Sequence, residues 1–227
     1  KSFYENFFNF TLRSDLMGAK YDITRPEFID ESYLENKVSW IGRLDKPACY
    51  FAVERLIKDI ASSKDLGENF IFQVIGGGTN IKKLKQIAEE CNVSNLVNFE
   101  GQVKNENIPK KLNGSKLVFA NGTSVYEAVR CNIPVIVFDL LRESDNFCEY
   151  QYSFYPERPD EILGKPIFEL QKQDKGHTFK SALEVATSNQ RNKLINDARE
   201  RASKVLEKAS NSIKNYFSAN HEIKPTN

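Results

Sequence analysis

Between residues 37 and 139 the sequence alternates short apolar runs with longer polar stretches of helical periodicity, and this rhythm limits the fold more than any other feature. The apolar runs are rich in β-branched and aromatic residues, which predicts five strands, at residues 38–41, 70–75, 96–99, 117–120 and 134–138. Helices are predicted between them, at residues 51–60, 81–91, 108–112 and 124–131. Repeated strand–helix–strand units require right-handed crossovers, so we predict an α/β fold with an open, doubly wound, Rossmann-like parallel sheet.

The remaining segments lack this rhythm. The first 36 residues contain several aromatic side chains but no alternation of strands and helices, whereas apolar residues recur at helical spacing from Phe179 to Phe217 and predict helical structure. We therefore divide the chain into an N-terminal arm or linker remnant, a Rossmann-like domain, C-terminal helices packed on it, and a frayed tail, at residues 1–36, 37–177, 178–220 and 221–227.

Composition argues against several classes of partner and binding site. The net charge is +1, which favours neither nucleic acid nor an acidic partner. No apolar run is long enough to span a membrane, and no basic-then-apolar leader is visible. The four cysteines are widely spaced, without a Cys-x-x-Cys pair or a nearby histidine cluster, so we predict free thiols in a reducing cytosol and no metal site.

Small, cationic and hydroxyl residues follow the predicted strands. In a parallel sheet the carboxyl ends of the strands meet at one edge, and ligands bind there, near the point at which the strand order reverses. The segments concerned are Gly42-Arg43-Leu44-Asp45-Lys46, Gly76-Gly77-Gly78-Thr79-Asn80, Gly101-Gln102-Val103, Asn121-Gly122-Thr123-Ser124 and Asp139. Their shared placement predicts a ligand site that no single motif would establish.

Two of these segments are typical of diphosphate binding. Arg43 and Lys46 supply a guanidinium fork and an ammonium, the usual protein partners of a diphosphate, although an ordinary surface pair is the alternative. Gly76 and Gly77 precede a predicted helix, so a ligand could approach their backbone and the helix N-terminus closely. A simple tight turn between strand and helix explains these glycines equally well.

The turn before the fourth predicted helix has two interpretations. Gly122, Thr123 and Ser124 could offer N–H and hydroxyl donors to a phosphate, and a serine or threonine here also caps a helix. Glu127 lies one turn further on and could accept the hydroxyls of a ribose. Its alternative is the N3 position of a capping box with Ser124, which is the stronger interpretation when the segment is taken alone.

The order and spacing of several motifs resemble the C-terminal domain of GT-B glycosyltransferases, in the large retaining group that makes bacterial polysaccharides and glycolipids. The resemblance covers about residues 37 to 140. It rests on the runs Val38-Ser39-Trp40-Ile41-Gly42-Arg43-Leu44-Asp45-Lys46, Val74-Ile75-Gly76-Gly77-Gly78, Val97-Asn98-Phe99-Glu100-Gly101-Gln102-Val103 and Glu127-Ala128-Val129-Arg130-Cys131-Asn132-Ile133-Pro134-Val135-Ile136.

The resemblance implies roles for individual residues. Arg43 matches the arginine that binds the donor diphosphate, and Glu127 matches the glutamate that holds the ribose. The family's lysine usually lies five residues after the arginine, where this chain has Ala48, so Lys46 takes its place. Val103 matches the position that contacts the base through its backbone.

One departure concerns the sugar. Many members carry a second glutamate eight positions before the ribose-binding one, and the corresponding residue here is Phe119. The short Asn121–Ser124 turn resembles that of a subgroup with Gly-Thr-Ser before Glu-Ala. The contacts of the donor sugar and the retaining outcome are therefore left open.

These features predict the donor-binding half of a glycosyltransferase. We expect it to bind a nucleotide-diphosphate sugar, with UDP the nucleotide favoured by family frequency, and to need no cofactor or metal. The expectation is that the chain is a fragment without its acceptor-binding domain, inactive by itself, cytoplasmic, and in contact with the inner face of the membrane only through the missing part. The alternatives are a nucleotide-sugar epimerase of the same fold and a non-catalytic subunit that binds a nucleotide or a partner.

Overall fold

The computed structural model describes residues 36–63, 66–67, 69–139, 150–157 and 176–220. Most of the predicted arm, the predicted tail at residues 221–227 and Cys148 lie outside these residues. The strands are β1 (Lys37–Ile41), β2 (Ile71–Ile75), β3 (Val97–Gly101), β4 (Ser115–Ala120) and β5 (Val135–Val137). The helices are α1 (Pro47–Ser62), α2 (Ile81–Glu90), α3 (Ile108–Leu112), α4 (Ser124–Arg130), α5 (Phe179–Thr187) and α6 (Arg191–Asn220).

The five strands form one parallel sheet in the order β3-β2-β1-β4-β5. The order runs outward in one direction from β1 through β2 to β3 and in the other through β4 to β5, so that the reversal falls between β1 and β4. This confirms the predicted doubly wound, Rossmann-like sheet, and each predicted strand is present to within two residues at either end. The carboxyl ends of β1 and β4, where Ile41 pairs with Ala120, frame the crevice at the reversal.

Helices cover both faces of the sheet, because alternate residues of each strand point to opposite faces. One face packs under α1, α2 and α5 and contributes Val38, Trp40, Phe72, Val74, Leu117 and Phe119 to the first core cluster. The other face packs against α3, α4 and α6 and contributes Ile41, Ile75, Val118, Ala120, Val135 and Val137 to the second. The C-terminal helices thus belong to the same core as the sheet.

The segment from Phe179 to Phe217, which is predicted to be helical, forms two helices, because the chain leaves the helix at Ser188 and re-enters it at Arg191. The Ser188 hydroxyl donates to the Val185 carbonyl at 2.8 Å and accepts from the Gln190 N–H at 3.1 Å. Serine competes in this way with the helical backbone for hydrogen bonds. The Arg191 guanidinium stabilises this break between the two helices by donating to the carbonyl of Ala186 at 3.0 Å.

The structure also bears on the cysteines and on membrane insertion. Of the three cysteines within the described residues, Cys49 and Cys131 are buried thiols, whereas Cys91 is partly exposed. Burial raises the pKa of the Cys49 thiol above its usual value. Within residues 36–220, as far as they are described, no helix combines the length and apolarity that a bilayer crossing requires.

Candidate functional site

The loops that follow the five strands lie along the carboxyl edge of the sheet. We define the rim as residues 42–46, 76–80, 101–103, 121–123 and 138–139. The first two loops are joined by a hydrogen bond from the Leu44 N–H to the Gly77 carbonyl at 2.9 Å, and by one from the Asn80 side chain to the Leu44 carbonyl at 2.8 Å. The Gly76 N–H donates to the Gly101 carbonyl at 2.9 Å and joins the second loop to the third.

The other half of the rim is joined in the same way. The Asn121 side chain donates to the Phe138 carbonyl at 2.8 Å, and the Phe138 N–H donates to the Ala120 carbonyl at 2.9 Å. At the end of β5, the Asp139 carboxylate accepts from the Tyr150 hydroxyl at 3.1 Å and is almost fully buried. The structure therefore brings every loop that the sequence singled out to one edge.

The structure shows why the second loop requires glycines, which the sequence alone does not explain. A Cβ atom on Gly76 would lie 1.9 Å from the Gly42 carbonyl oxygen, and one on Gly78 would lie 2.4 Å from the Asp45 amide nitrogen. Backbone meets backbone at both positions, so no side chain can move aside. At Gly77 the nearest atom would be the Cβ of Gln102, at 3.2 Å. Gly76 and Gly78 are thus required for the first two loops to pack together.

Arg43 lies on the rim with its side chain 72% exposed and makes a two-point contact with Asp45. Its Nε donates to Asp45 Oδ1 at 3.1 Å, and its second terminal nitrogen donates to Oδ2. These hydrogen bonds raise the pKa of Arg43 and lower the pKa of Asp45. From the sequence alone Asp45 has no assigned role, although a cation and a carboxylate two residues apart in a loop can pair.

Three helices begin at the rim, and in none of them does the N-cap side chain accept a cap hydrogen bond. The N-cap residues are Lys46 in α1, Asn80 in α2 and Thr123 in α4, and Lys46 is exposed. By contrast, Thr178 caps α5 by accepting from the Ser181 N–H at 3.2 Å. A helix start carries partial positive charge. The rim therefore combines the cations of Arg43 and Lys46 with helix starts that their own N-cap side chains do not cap.

The start of α4 differs from the capping-box interpretation, which is wrong. Gly122 has a left-handed backbone with φ of 65°, Thr123 is the N-cap, and Ser124 is already the first helical residue. Ser124 and Glu127 therefore do not occupy the N-cap and N3 positions that a capping box requires. Glu127 is instead 5% exposed and its carboxylate pairs with the Arg130 guanidinium at 3.2 Å, at i,i+3 spacing on the same helix.

Val103 lies in the loop after β3, and its side chain packs against the second core cluster. Among the described residues, no main-chain hydrogen bond to another backbone group involves its N–H or carbonyl outside the helices and strands. The contact of Val103 with a base stays a prediction.

A chain of polar side chains crosses four strands within the sheet and was not predicted. The hydroxyl of Ser39 contacts that of Ser115 at 2.8 Å and donates to Gln73, whose amide donates to Glu100 at 3.0 Å. Lys111 of α3 completes it, with its ammonium 2.6 Å from the Glu100 carboxylate. The hydrogen bonds from Lys111 and Gln73 hold the pKa of Glu100 below its usual value. The network ties the strands of the first three loops together.

Two further positions bear on the predicted site. Phe119, which stands where many members of the resembled family have a glutamate, is fully buried in the first core cluster and stacks on Phe179 with ring centroids 6.0 Å apart. Ala48 lies within the first turn of α1. In the described part of the chain, no group of three or more histidine, cysteine, aspartate or glutamate side chains is arranged to hold a metal ion.

Comparison with known proteins supports the resemblance. The family described as "Glycosyl transferases group 1" matches residues 34–201, which is most of the chain. No curated protein matches the sequence significantly.

Several solved structures share the fold at low sequence identity. The Anabaena HepE structure, in complex with UDP, has a TM-score of 0.53 and 15% identity, over 82% of this chain and 49% of that one. A sucrose-phosphate synthase from Thermosynechococcus elongatus has a TM-score of 0.51 and 15% identity, over 91% and 49%. The pneumococcal O-GlcNAc transferase GtfA, in complex with UDP and GlcNAc, has a TM-score of 0.50 and 12% identity, over 87% and 38%. The chain thus spans half or less of the length of these structures.

Proposed function

The chain belongs to the group 1 glycosyl transferases, and on that premise we propose that its rim binds the nucleoside diphosphate of a sugar donor, with UDP as the nucleotide. One observation carries the proposal: the five loops lie along one edge of the sheet, on both sides of the point where the strand order reverses, with an exposed arginine directly after β1. The choice of UDP is supported by the HepE and GtfA complexes, which contain it.

In this proposal different residues bind different parts of the nucleotide. Arg43, Lys46, and the backbone and hydroxyl donors of Gly76, Gly77, Gly122, Thr123 and Ser124 bind the diphosphate. Glu127 accepts the ribose hydroxyls, and the backbone of Val103 contacts the base. Because positive charge at the rim stabilises the diphosphate as it leaves the sugar, the proposal requires no metal ion. Location in the cytoplasm stays a prediction.

Nucleotide titration by calorimetry tests the proposal, with UDP and uridine compared at low ionic strength. Arg43→Ala removes a charge-assisted two-point contact and is expected to weaken UDP binding about tenfold or more while leaving uridine binding unchanged. Glu127→Ala is expected to weaken both ligands, because the ribose is common to them.

Lys204→Ala is the matched control, since Lys204 is an exposed cation paired with Glu200 much as Arg43 is paired with Asp45. Its UDP affinity is expected to equal that of the unchanged chain. Circular dichroism of each variant establishes that it is folded. No measurable UDP binding by the unchanged chain, or equal binding by all variants, would contradict the proposal.

Sugar transfer in this proposal needs an acceptor-binding domain in addition to the rim. We expect the chain alone to bind UDP and to transfer no sugar from a UDP-sugar to any acceptor. Product analysis with a donor but no acceptor distinguishes an epimerase, which would convert the donor sugar. Robust transfer by the chain alone would show that the rim and its surroundings already form a complete active site.

One observation favours a second candidate, a non-catalytic subunit that binds a nucleotide or a partner. Phe119 is apolar and fully buried, so no carboxylate stands at the position where many family members have one beside the donor sugar. Such a subunit would bind UDP and UDP-sugar with equal affinity, since it makes no contact with the sugar. A UDP-sugar that binds more tightly than UDP would exclude this candidate.

A further inference from the structure

The first rim loop holds Arg43 and Asp45 in a fixed relation. Between them, Leu44 is fully buried, its N–H donates to Gly77, and its carbonyl accepts from Asn80. The backbone that carries both charged side chains is therefore hydrogen-bonded at the two peptide units that flank the Leu44 Cα. Leu44 and Asp45 form a turn, and the side chains of Arg43 and Asp45 contact each other and emerge together into solvent.

The contact between them occupies the donors that an anion needs. The Nε and one terminal nitrogen of Arg43 face the two oxygens of Asp45, which is the two-point geometry that an arginine also offers to a phosphate. A diphosphate that takes this face of the guanidinium must displace the carboxylate. The side chains are 72% and 34% exposed, so water can solvate the displaced carboxylate and the exchange is accessible.

We propose that Asp45 competes with the donor diphosphate for Arg43 and so sets how tightly the rim holds a nucleoside diphosphate. The inference rests on the proposed function of the rim. Asp45 is then a specificity-determining residue: its negative charge opposes a ligand in proportion to the charge of that ligand. The affinity for neutral nucleosides is not affected by this competition, whereas the affinity for nucleoside diphosphates is reduced by it.

Asp45→Asn tests this inference, because asparagine keeps the size of the side chain and removes its charge. We expect the variant to bind UDP about two- to fivefold more tightly than the unchanged chain at low ionic strength, and uridine equally well. The gain should shrink as salt is added, since exposed charges are screened. Glu200→Gln is the control: Glu200 is also an exposed carboxylate paired with a cation, Lys204, but lies on α6. Its UDP affinity should not change.

The outcomes separate the inference from the function on which it rests. If the unchanged chain binds UDP and Asp45→Asn binds it equally well, Asp45 does not compete, and the inference is wrong. Weaker binding by Asp45→Asn would also overturn it, since Asp45 would then orient Arg43 for the ligand. Absence of UDP binding in every variant would overturn the proposed function and this inference with it. A parallel gain for uridine would show that the substitution acts through loop structure and not through charge.

Discussion

Two ion pairs of the candidate site, Arg43–Asp45 and Glu127–Arg130, differ in burial, and the difference separates ligand binding from stability. Arg43 and Asp45 lie at the end of β1 and are exposed, whereas Glu127 and Arg130 lie on α4 with side chains only 7% and 21% exposed. An exposed pair exchanges its partner for a ligand or for water at little cost. A buried carboxylate that loses its cation has no such replacement. We therefore expect the first pair to govern affinity and the second to govern the fold as well.

The largest effect should come from breaking the buried pair. Arg130→Leu leaves the Glu127 carboxylate buried without this cation, and we expect a loss of about 3 kcal/mol in the free energy of unfolding, measured by urea denaturation. The double variant Glu127→Leu and Arg130→Leu removes both charges and should recover more than half of that loss. A double variant no more stable than Arg130→Leu would show that the pairing is not what stabilises α4.

The next effect should come from the loop contact beneath the exposed pair. Gly76→Ala places a Cβ against the Gly42 carbonyl and should lower the free energy of unfolding by about 2 kcal/mol. Gly77→Ala is the matched control one residue away, where the added Cβ meets only the Gln102 side chain at 3.2 Å. Its effect should be under about 1 kcal/mol. Equal effects at the two glycines would mean that the backbone contact is not limiting.

A smaller effect concerns pH and the network that contains Glu100. The pKa of Glu100 is lowered in the folded chain, so the stabilisation is present above the unfolded value near 4.5 and is lost as pH falls through the folded value. We expect Glu100→Gln to reduce the pH dependence of stability, measured as the difference in urea midpoint between pH 6 and pH 3. The reduction corresponds to less than about 1 kcal/mol in the free energy of unfolding. Glu200→Gln, which removes an exposed carboxylate, should change it less. The same pH response in the unchanged chain and Glu100→Gln would exclude the network as its source.

The smallest expected effect is that of Arg43→Ala on stability. Arg43→Ala removes an exposed cation from an exposed pair, so its urea midpoint should equal that of the unchanged chain, even though its UDP affinity falls. A destabilised Arg43→Ala variant would show that the pair stabilises the first loop, and the contrast between the exposed pair and the buried pair would then be wrong.

Much of the rim could be predicted because its determinants are local. The apolar rhythm located each strand, and glycines, cations and hydroxyl residues directly follow the strands, so Arg43, Lys46 and Glu127 could be named from spacing and from the family resemblance. The i,i+3 spacing of Glu127 and Arg130 was also a readable signal of pairing. The competing capping-box pattern was local too, but its prediction was wrong because the helix begins one residue earlier than that pattern requires.

By itself, then, the sequence determined the strands and most of the helices, the sheet edge at which the polar loops meet and the charges available there. Only the tertiary structure decided the strand order and which loops touch: that Gly76 lies against Gly42, and that the buried Leu44 fixes its two charged neighbours on the rim. The physical reason is distance along the chain. Periodicity and capping are set by neighbours within a few residues, whereas contacts between loops depend on how separate strands come to lie side by side.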